Sequence, residues 1–452
     1  MNPDIFREYD IRGVAERDLT DDVVECIGKA FATFALSFGK KKVVIGRDCR
    51  LSSPRIHTTL TQAMLSGGLD VVDIGICPTP VFYFSLFHLD REGGMHITGS
   101  HNPPDQNGFK ICIGKSTIFG EEIQKVKQLC EKGTFAEGKG SRSQYDIIPA
   151  YQKYVSENIK LDRPLKVIVD AGNGTAGPVA PKLMRDLGCE VEEMYCDMDG
   201  RFPNHHPDPT VPKYIEELIT RVKNGSYDCG FAYDGDADRL GVIDDKGNIL
   251  WGDQLLIVFA REILSRTPGA TVISEVKSSK VLFDDIAKHG GKPIMWKTGH
   301  SLIKEKMRET GAAVAGEMSG HIFFRDRYFG YDDAIYSSCR LLEILAKSPV
   351  PLSKMLDDVP KMYSTPEIRT DCPEHIKFKV VKELTQYFKS NGYDVVDVDG
   401  ARVTFKDGWG LVRASNTQPV LVLRFEATSE KRRDEIRNLI ETQLTRVLEK
   451  VK

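Results

Sequence analysis

The feature that most constrains how this chain can fold is a weak threefold repeat of strand-like segments. Each copy has two short apolar segments with a helical pattern between them, as at Ile56–Leu65 and Val179–Leu187, and then a third apolar segment. The strand-like segments are Val43–Ile45, Val71–Ile74, Met95–Thr98, Val167–Val169, Val191–Tyr195, Phe231–Tyr233, Val272–Ser274, Ile294–Trp296 and Ala313–Ala315. Strands that alternate with helices predict α/β domains, in which helices cover the faces of a sheet.

A polar, glycine-containing loop follows the third strand of each copy. These loops span residues 99–103, 234–239 and 316–321. Ligand sites in open α/β sheets form at the carboxyl ends of the strands. We therefore expect three similar domains that turn these loops toward one shared cleft.

The C-terminal part of the chain breaks the repeat. A helical pattern covers residues 376–388, strand patterns cover 395–405 and 420–425, and a last helical pattern covers 432–451. This order is typical of an α+β domain. The predicted domains are 1–146, 147–249, 250–360 and 361–452.

Charge and composition exclude several classes of protein. Lys and Arg total 62 and Asp and Glu total 65, so the net charge of −3 gives no support for binding nucleic acid or a membrane surface through bulk charge. The longest apolar run, 255–260, is far shorter than the roughly 20 residues of a membrane-spanning helix. The charged N-terminus predicts no signal peptide, and ten cysteines without a CxxC pair predict neither a zinc site nor a redox pair. We expect a cytoplasmic protein.

Three aspartates, Asp234, Asp236 and Asp238, alternate after the third strand of the second copy. If the backbone stays extended there, the period of two places the carboxylates on one side, where they repel one another unless a cation lies among them. Oxygen ligands suit Mg²⁺ or Ca²⁺ rather than zinc. An EF-hand is excluded, because its sixth and twelfth positions would be Arg239 and Asp245 instead of Gly and Glu. A solvated acidic turn is the alternative, but Arg239 favours a site that grips a phosphoryl group.

The loop of the first copy reads Ser100-His101-Asn102-Pro103-Pro104. Its serine is a candidate nucleophile and its histidine a candidate proton carrier. Lys110 adds a second candidate for acid–base chemistry or charge balance. Alone, these residues are equally consistent with a turn rich in side-chain hydrogen bonds.

A glycine-rich segment, residues 172–177, fits the dinucleotide fingerprint G-x-G-x-x-G. It follows a strand, precedes a helix and has Asp197 about twenty residues later. However, Pro178 follows at once, and a nicotinamide site would leave the aspartates and the Ser100 loop without a role. A tight strand-to-helix turn is therefore the preferred interpretation.

Further loops carry polar side chains suited to a sugar phosphate. Glu317 and Ser319 are two apart, which suits neighbouring sugar hydroxyls, and His300 lies in another polar loop. The segment 413–419 places a cation, two hydroxyls and an amide in a turn between strands, where they can bind a phosphate. Each of these loops by itself is equally consistent with an ordinary polar turn.

Taken together, the segments resemble the α-D-phosphohexomutase superfamily, and within it the bacterial phosphomannomutase/phosphoglucomutase branch. The resemblance covers the whole chain in order. It rests on the segments 6–13, 98–103, 107–110, 234–239, 275–277, 297–300, 317–321 and 413–419. One departure is Gly99, where the family often has alanine.

The resemblance implies a fold class and a set of site residues. The fold would comprise three similar α/β domains with mixed sheets and a C-terminal α+β domain, arranged around a central active-site cleft. The implied catalytic set is Ser100, as the phosphoserine, with His101, Lys110 and Arg239. The implied Mg²⁺ ligands are an oxygen of phospho-Ser100 with Asp234, Asp236 and Asp238. The implied substrate-binding set is Tyr9, Arg12, Lys277, His300, Glu317, Ser319, His321, Arg413, Ser415, Asn416 and Thr417.

The implied activity is that of a phosphohexomutase, which interconverts hexose 1-phosphate and hexose 6-phosphate of mannose, glucose or both. Phospho-Ser100 would give its phosphoryl group to the free hydroxyl, and the hexose 1,6-bisphosphate would turn round and return its other phosphate to Ser100. Lys110, His101 and His321 are the candidate proton carriers. We expect Mg²⁺ as cofactor, the bisphosphate as intermediate and activator, and sugar phosphates as the partners of a monomer or weak dimer.

Two alternative functions remain open at this point. One is a phosphoglucosamine mutase, although the Glu-Met-Ser-Gly sequence of residues 317–320 favours mannose and glucose phosphates. The other is a non-catalytic sugar-phosphate-binding protein. The intact Ser100 and the intact aspartates count against this second alternative.

Overall fold

The computed structural model describes residues 1–416 and 418–451. Thr417, a member of the predicted phosphate-binding set, lies outside the described residues. The chain divides into two compact units. The first unit comprises Met1–Leu255 with Ser319–Met355, and the second comprises Leu256–Met318 with Leu356–Lys452.

The first copy of the repeat forms a mixed sheet in the first unit. Its elements are β1 Ile11–Val14, α1 Asp21–Ser37, β2 Lys42–Arg47, α2 Ser53–Ser66, β3 Asp70–Ile76, α3 Thr79–His88, β4 Gly93–Ile97, β5 Gln106–Ile113, β6 Ser116–Thr117, α4 Glu121–Lys132 and β7 Arg142–Gln144. The strand order is β1-β5-β4-β2-β3-β7, and β6 pairs with β5. Strand β2 is parallel to β3 and β4, whereas β4 is antiparallel to β5.

The second copy, also in the first unit, repeats this path. Its elements are α5 Ile148–Asn158, β8 Lys166–Asp170, α6 Ala180–Asp186, β9 Glu190–Met194, α7 Glu216–Asn224, β10 Cys229–Tyr233, β11 Leu240–Asp244 and β12 Ile249–Leu250. Its strand order is β12-β11-β10-β8-β9. Strand β8 is parallel to β9 and β10, and β10 is antiparallel to β11. In both copies the first strand therefore lies between the second and the third.

The third copy has the same three-strand centre in the second unit. The elements that follow β12 are α8 Gly252–Arg266, β13 Thr271–Glu275, α9 Lys280–Lys288, β14 Lys292–Trp296, α10 His300–Thr310, β15 Val314–Gly316, β16 Ile322–Phe324 and α11 Ala334–Lys347. Of these, β16 and α11 belong to the first unit. Strands β14 and β15 both run parallel to β13. The predicted threefold repeat is confirmed.

The C-terminal part of the second unit is an antiparallel sheet with two long helices. Its elements are β17 Tyr363–Ser364, β18 Ile368–Asp371, α12 Glu374–Ser390, β19 Asp394–Val396, β20 Ala401–Phe405, β21 Gly408–Ala414, β22 Val420–Ala427 and α13 Glu430–Val451. The α+β prediction is confirmed, but the single strand predicted over 395–405 is wrong. That segment is a hairpin of β19 and β20, because Gly400 adopts a φ of +106° and turns the chain back.

The described residues also contain three short 3₁₀ helices, at Pro3–Ile5, Pro212–Ile215 and Leu352–Lys354. None of the described helices is long and apolar enough to cross a membrane.

Apolar packing against the sheets fixes the strand ends that carry the polar loops. In the first copy Phe31 of α1, Ile45 of β2, Leu60 of α2 and Met95 of β4 belong to one fully buried cluster. Burial of one such side chain stabilises the fold by roughly 1.5–3 kcal/mol. The loop after β4 is thus held at its base by a strand that packs in this cluster.

The glycine-rich segment 172–177 is a tight turn between β8 and α6. Gly172 has a φ of +51°, and a Cβ atom on Gly177 would lie 1.9 Å from the carbonyl oxygen of Cys196. Only glycine tolerates such an approach, and α6 begins only at Ala180. This contact between backbones accounts for the glycines without a bound dinucleotide.

Candidate active site

Ser100 lies in the loop after β4 and is buried, with 2% of its surface exposed. Its Oγ atom donates to Asp234 Oδ2 at 2.6 Å and lies 3.1 Å from His101 Nδ1. The Ser100 backbone has a φ of +48°, in the left-handed region that residues with a Cβ atom seldom adopt. The local backbone therefore presents the hydroxyl to the aspartate loop at some conformational cost.

The three predicted aspartates follow β10, and all three are completely buried. They do not continue the extended strand. The loop turns at Ala237, whose φ is +59°, and the backbone N–H groups of Asp238 and Arg239 donate to Asp234 Oδ1. The expectation that period-two spacing aligns the carboxylates was wrong, although the turn still brings their oxygens within 4.8 Å of one another.

Side chains of the first copy hold two of these aspartates. Lys110 Nζ on β5 lies 3.1 Å from Asp236 Oδ2 and donates to Asp238 Oδ2. The hydroxyls of Thr79 and Thr98 donate to Asp236 Oδ2 at 2.5 and 3.0 Å. The aspartate loop of the second copy is thus fixed against the serine loop of the first.

The buried charges shift each other's pKa values. Burial and the charges of Asp238 and Asp236 raise the pKa of Asp234 well above its usual range. Burial alone would lower the pKa of the Lys110 ammonium, but Asp236 and Asp238 outweigh it and raise that pKa, so Lys110 stays charged. Burial, together with the charges of Arg239 and Arg12, lowers the pKa of His101 well below its usual value.

The donor set of the three aspartates fits a hard cation. Asp236 Oδ1 and Asp238 Oδ1 are buried, and neither has a hydrogen-bond partner among the described residues. A buried carboxylate oxygen without a partner is costly, and a divalent cation with a preference for oxygen ligands removes that cost. The aspartates can therefore hold a metal ion.

His321 connects the aspartate loop to a further carboxylate. Arg239 Nε donates to His321 Nε2 at 3.1 Å. The other ring nitrogen, Nδ1, faces Asp332 Oδ2 at 3.3 Å and Asp238 Oδ1 at 3.7 Å. A ring that accepts at Nε2 and faces carboxylates at Nδ1 carries its proton on Nδ1.

Arg12 of β1 lies beside the serine loop. Its Nε atom donates to Asp10 Oδ2 at 2.6 Å, and Nη1 donates to the carbonyl oxygen of Gly99 at 3.3 Å. Tyr9 immediately precedes this pair, half-buried, and Ser319 is half-buried two residues before His321.

In the second unit, Glu275 at the end of β13 joins three of the predicted recognition segments. It accepts hydrogen bonds from Thr298 Oγ1 and from the backbone N–H of Met318, and it lies 3.5 Å from Lys277 Nζ. Glu317 Oε1 accepts from the backbone N–H of Gly299 at 2.7 Å, next to His300. The turn 297–300 and the loop that contains Glu317 are therefore neighbours.

The predicted phosphate-binding turn carries Arg413, Ser415 and Asn416 at the end of β21. Arg413 Nε donates to Asp399 Oδ2 at 3.0 Å, and the same oxygen accepts from the backbone N–H of Thr298. Asp399 thereby links the phosphate-binding turn to the turn 297–300.

The sequence matches four described domain families in chain order. These are the phosphoglucomutase/phosphomannomutase alpha/beta/alpha domains I, II and III, at residues 3–137, 149–247 and 251–363, and the phosphoglucomutase/phosphomannomutase C-terminal domain, at 367–443. The chain belongs to the phosphoglucomutase/phosphomannomutase family. The predicted superfamily and fold class are confirmed.

Similar members of the phosphoglucomutase/phosphomannomutase family extend over nearly the full chain. The phosphomannomutase/phosphoglucomutase of Pseudomonas aeruginosa is 47% identical over 98% of this chain and 96% of its own length. The phosphoglucomutase of Neisseria gonorrhoeae is 47% identical over 96% of this chain and 95% of its own. The crystal structure of a phosphoglucomutase/phosphomannomutase family protein from Burkholderia thailandensis has a TM-score of 0.95 at 44% identity and covers 100% of this chain and 99% of that one.

In this family member the first unit brings together the predicted catalytic residues, the predicted metal ligands and one residue of the predicted substrate-binding set. Hydrogen bonds and ion pairs connect Ser100, His101, Lys110, Asp234, Asp236, Asp238, Arg239 and His321. The second unit connects Lys277 with the turn that precedes His300, and it connects Glu317 with the same turn. The roles of all these residues and the arrangement of the four domains around a cleft stay predictions.

Several supporting residues were assigned no role from the sequence, although Thr98 and Glu275 lie in segments that carry the family resemblance. The supporting residues are Asp48, Arg50, Thr79, Thr98, Glu275, Asp332 and Asp399. The strand-end rule, applied to first strands as well as to third strands, would have found Asp48 and Arg50 after β2 and Glu275 at the end of β13. Asp399 lies in a hairpin turn and carries no such signal.

Proposed function

We propose that this chain is a phosphohexomutase that moves a phosphoryl group between O1 and O6 of a hexose phosphate through a phosphorylated Ser100. The observation that carries the proposal is the position of Ser100 Oγ, 2.6 Å from Asp234 Oδ2 in a buried cluster that also contains Lys110. The names of the similar family members support it.

The three aspartates would hold Mg²⁺ together with an oxygen of phospho-Ser100. The ion would supply positive charge that offsets the charge on the transferring phosphoryl group. Support comes from the unpartnered, buried oxygens of Asp236 and Asp238. Arg239, beside the same loop, would bind a phosphoryl oxygen with its guanidinium.

Transfer breaks the bond between Ser100 Oγ and phosphorus and forms a bond from phosphorus to the free hydroxyl oxygen of the sugar. The sugar hydroxyl loses a proton, and Ser100 Oγ gains one. Lys110 is held beside Asp236 and Asp238 in the same cluster as Ser100, which suits it to balance charge on Ser100 Oγ and makes it the proposed donor of this proton. His321 is suited to accept the sugar proton at Nε2 once Arg239 has turned to the phosphoryl group.

His101 is better suited to orient Ser100 than to carry a proton. Its lowered pKa keeps the imidazole neutral and makes it a weak base. A neutral ring 3.1 Å from Ser100 Oγ can still fix the direction of the hydroxyl through a hydrogen bond.

The remaining predicted residues would bind the sugar phosphate. Glu317 and Ser319 would accept hydrogen bonds from sugar hydroxyls, and Arg413 with its turn would bind the phosphate that does not react. The other members of the proposed substrate-binding set are Tyr9, Arg12, Lys277, His300, Ser415, Asn416 and Thr417. Because the 1,6-bisphosphate has a phosphate at each end, one phosphate clamp serves both half-reactions, with mannose or glucose phosphates as the proposed substrates.

Radiolabel transfer tests this function. The native chain, incubated with ³²P-labelled glucose 1,6-bisphosphate and Mg²⁺, should carry label on a peptide that contains Ser100. It should also convert glucose 1-phosphate and mannose 1-phosphate to the 6-phosphates. Binding of these sugars without label or turnover would favour a sugar-phosphate-binding protein, and a clear preference for glucosamine phosphates would favour the glucosamine branch.

A further inference from the structure

Arg50 is a completely buried arginine that donates only to the backbone of the serine loop. It follows β2, and its side chain has 0% of its surface exposed. Its two Nη atoms donate to four carbonyl oxygens. Those of Pro103 and Gln106 lie 2.5 and 2.9 Å from Nη1, and those of Ser100 and Asn102 lie 2.7 Å from Nη2. Each of the four Nη hydrogens is thereby used.

Asp48 contacts both Arg50 and the backbone of the serine loop. Asp48 Oδ2 lies 3.2 Å from Arg50 Nε and accepts from the backbone N–H of Gly99 at 3.0 Å. Asp48 Oδ1 accepts from Ser53 Oγ at 2.6 Å, at the start of α2. The pair therefore binds both N–H and C=O groups of the loop and anchors them to the first helix after β2.

Burial of a guanidinium is costly, so a buried arginine indicates a role that an apolar side chain could not fill. The role visible here is to hold Ser100 in its left-handed backbone conformation, since Arg50 Nη2 binds the carbonyl oxygen of Ser100 itself. Such a conformation is costly and persists only where its surroundings fix it. A lysine has three donors on one atom and cannot reach four carbonyls.

We propose that Arg50 is the positioning residue of the phosphoserine loop, which aims Ser100 Oγ at Asp234 and the transferring phosphoryl group. The proposal rests on the proposed function and names a residue through which that function is achieved. The serine loop approaches the guanidinium closely, since a Cβ atom on Gly99 would lie 2.4 Å from Arg50 Cζ.

Single-turnover labelling of Arg50→Met and Arg50→Lys by ³²P-labelled glucose 1,6-bisphosphate tests the proposal. Displacement of a reacting group by about 1 Å costs about 100-fold in rate, so Arg50→Met should be labelled about 100-fold more slowly than the native chain. Arg50→Lys should fall between the two. The dissociation constant for glucose 1-phosphate should stay within about threefold of the native value, because no described residue of the proposed substrate-binding set accepts a hydrogen bond from the Arg50 side chain.

Arg340→Met is the matched control. Arg340 is also completely buried in the first unit, and it pairs with Asp326 and lies over Phe324, away from the serine loop. Both variants should lose thermal stability, but only Arg50→Met should be labelled slowly per folded molecule. A native labelling rate in Arg50→Met would overturn the proposal, and so would an equal loss in Arg340→Met.

Two further measurements keep the proposal open to refutation. If Arg50→Met does not fold, Arg50→Lys carries the test, because it keeps the charge but has only one donor atom, and a native labelling rate in Arg50→Lys would overturn the proposal. Hydrogen exchange of the peptide 98–107 needs no activity. It should be at least tenfold faster in Arg50→Lys than in the native chain, and unchanged exchange would refute the positioning role. If the native chain takes no label, the proposed function is wrong. The hydrogen-exchange measurement would still test the role of Arg50 in that case.

Discussion

In the first unit, the Lys110 ammonium lies against two of the three buried carboxylates of one loop, whereas in the second unit each cation of the proposed recognition set has carboxylates beside it. Lys277 lies 3.5 Å from Glu275 and 3.2 Å from Glu367, and Arg413 lies 3.0 Å from Asp399. The first cluster therefore has an excess of negative charge that a metal ion can neutralise. In the second, a phosphate bound as proposed would compete with the carboxylates that already lie beside these cations. The proposed roles therefore differ. The first cluster would bind a metal cation, whereas the cations of the second would replace carboxylate partners with a phosphate.

The largest expected effect comes from removal of the Ser100 hydroxyl, which donates to Asp234 in the first cluster. Ser100→Ala should lower turnover of glucose 1-phosphate by at least about a thousandfold, because no other group can carry the phosphoryl between the half-reactions. Calorimetry should show native affinity for glucose 1-phosphate, since the phosphate-binding turn is unaltered. Ser85→Ala removes a buried serine hydroxyl that donates to Phe82 O, and it should keep native turnover. Native turnover in Ser100→Ala would dismiss the phosphoserine mechanism.

The next effect tests the excess of negative charge itself. Asp236→Asn removes one of three carboxylates, so Mg²⁺ affinity and turnover should fall together, turnover by about 100-fold or more at limiting Mg²⁺. EDTA should abolish native activity, and excess Mg²⁺ should restore it. Asp244→Asn, at a buried aspartate within the hairpin of the second copy, should respond to EDTA as the native chain does. Unchanged Mg²⁺ dependence in Asp236→Asn would mean that this loop is not the metal site.

A smaller effect is expected from the recognition side. Glu317→Gln keeps the shape of the side chain but weakens hydrogen bonds from sugar hydroxyls, and bonds to a charged group contribute roughly 1.5–3 kcal/mol. Catalytic efficiency should therefore fall by about 10- to 100-fold in steady-state kinetics. Glu426→Gln changes a buried glutamate of the same unit that accepts from Trp409 and Ser279, and it serves as the control. Equal losses in the two variants would assign the effect to packing.

The smallest expected effect is on the pH dependence of stability. One carboxyl group in each unit should change the unfolding free energy with pH, and the two changes should have opposite signs. Burial raises the pKa of Asp333 in the first unit to about 6. A carboxyl with a raised pKa in the folded state stabilises the fold fully at low pH, and this contribution is lost as pH rises through 6. From pH 4 to pH 7 the native chain should lose roughly 1–3 kcal/mol of unfolding free energy relative to Asp333→Asn.

Glu367 in the second unit should show the opposite trend. Burial raises its pKa, but Lys277 and Arg369 outweigh burial and lower it to about 2. The stability that Glu367 contributes is present above the unfolded value near 4.5 and is lost as pH falls toward 2. Denaturant unfolding of Glu367→Gln and the native chain should differ most at neutral pH and converge in acid. Parallel pH profiles for the Asp333 and Glu367 variants would contradict the contrast between the units.

Sequence patterns were sufficient for the repeated sheets and for the loops that carry chemistry. Apolar runs such as Val43–Ile45 predict buried strands, and polar residues after such strands predict sites at their carboxyl ends. The convergence of the aspartates was anticipated for the wrong reason, because the turn at Ala237 depends on backbone donors to Asp234 that spacing does not reveal. Likewise the hairpin at 395–405 depends on the φ of Gly400, and glycine in a strand pattern permits a turn without requiring one.

Arg50 shows most clearly why part of the site could not be predicted. In the sequence it is one charged residue of a polar turn, and such residues are usually solvated. Its burial depends on a loop more than fifty residues later in the chain, which folds over it and supplies the carbonyl oxygens. Local propensity contains no information about such a pairing.

The separation of Lys110 from its carboxylates has a consequence for how the protein is made. Asp238 follows Lys110 by 128 residues, so the ribosome completes the first sheet well before the counter-charges of that lysine have been synthesised. Until the second copy folds, Lys110 must remain hydrated and the strand that carries it must remain open to water at that point. Lys110 and its part of the strand can therefore become fully buried only after the second copy has been translated.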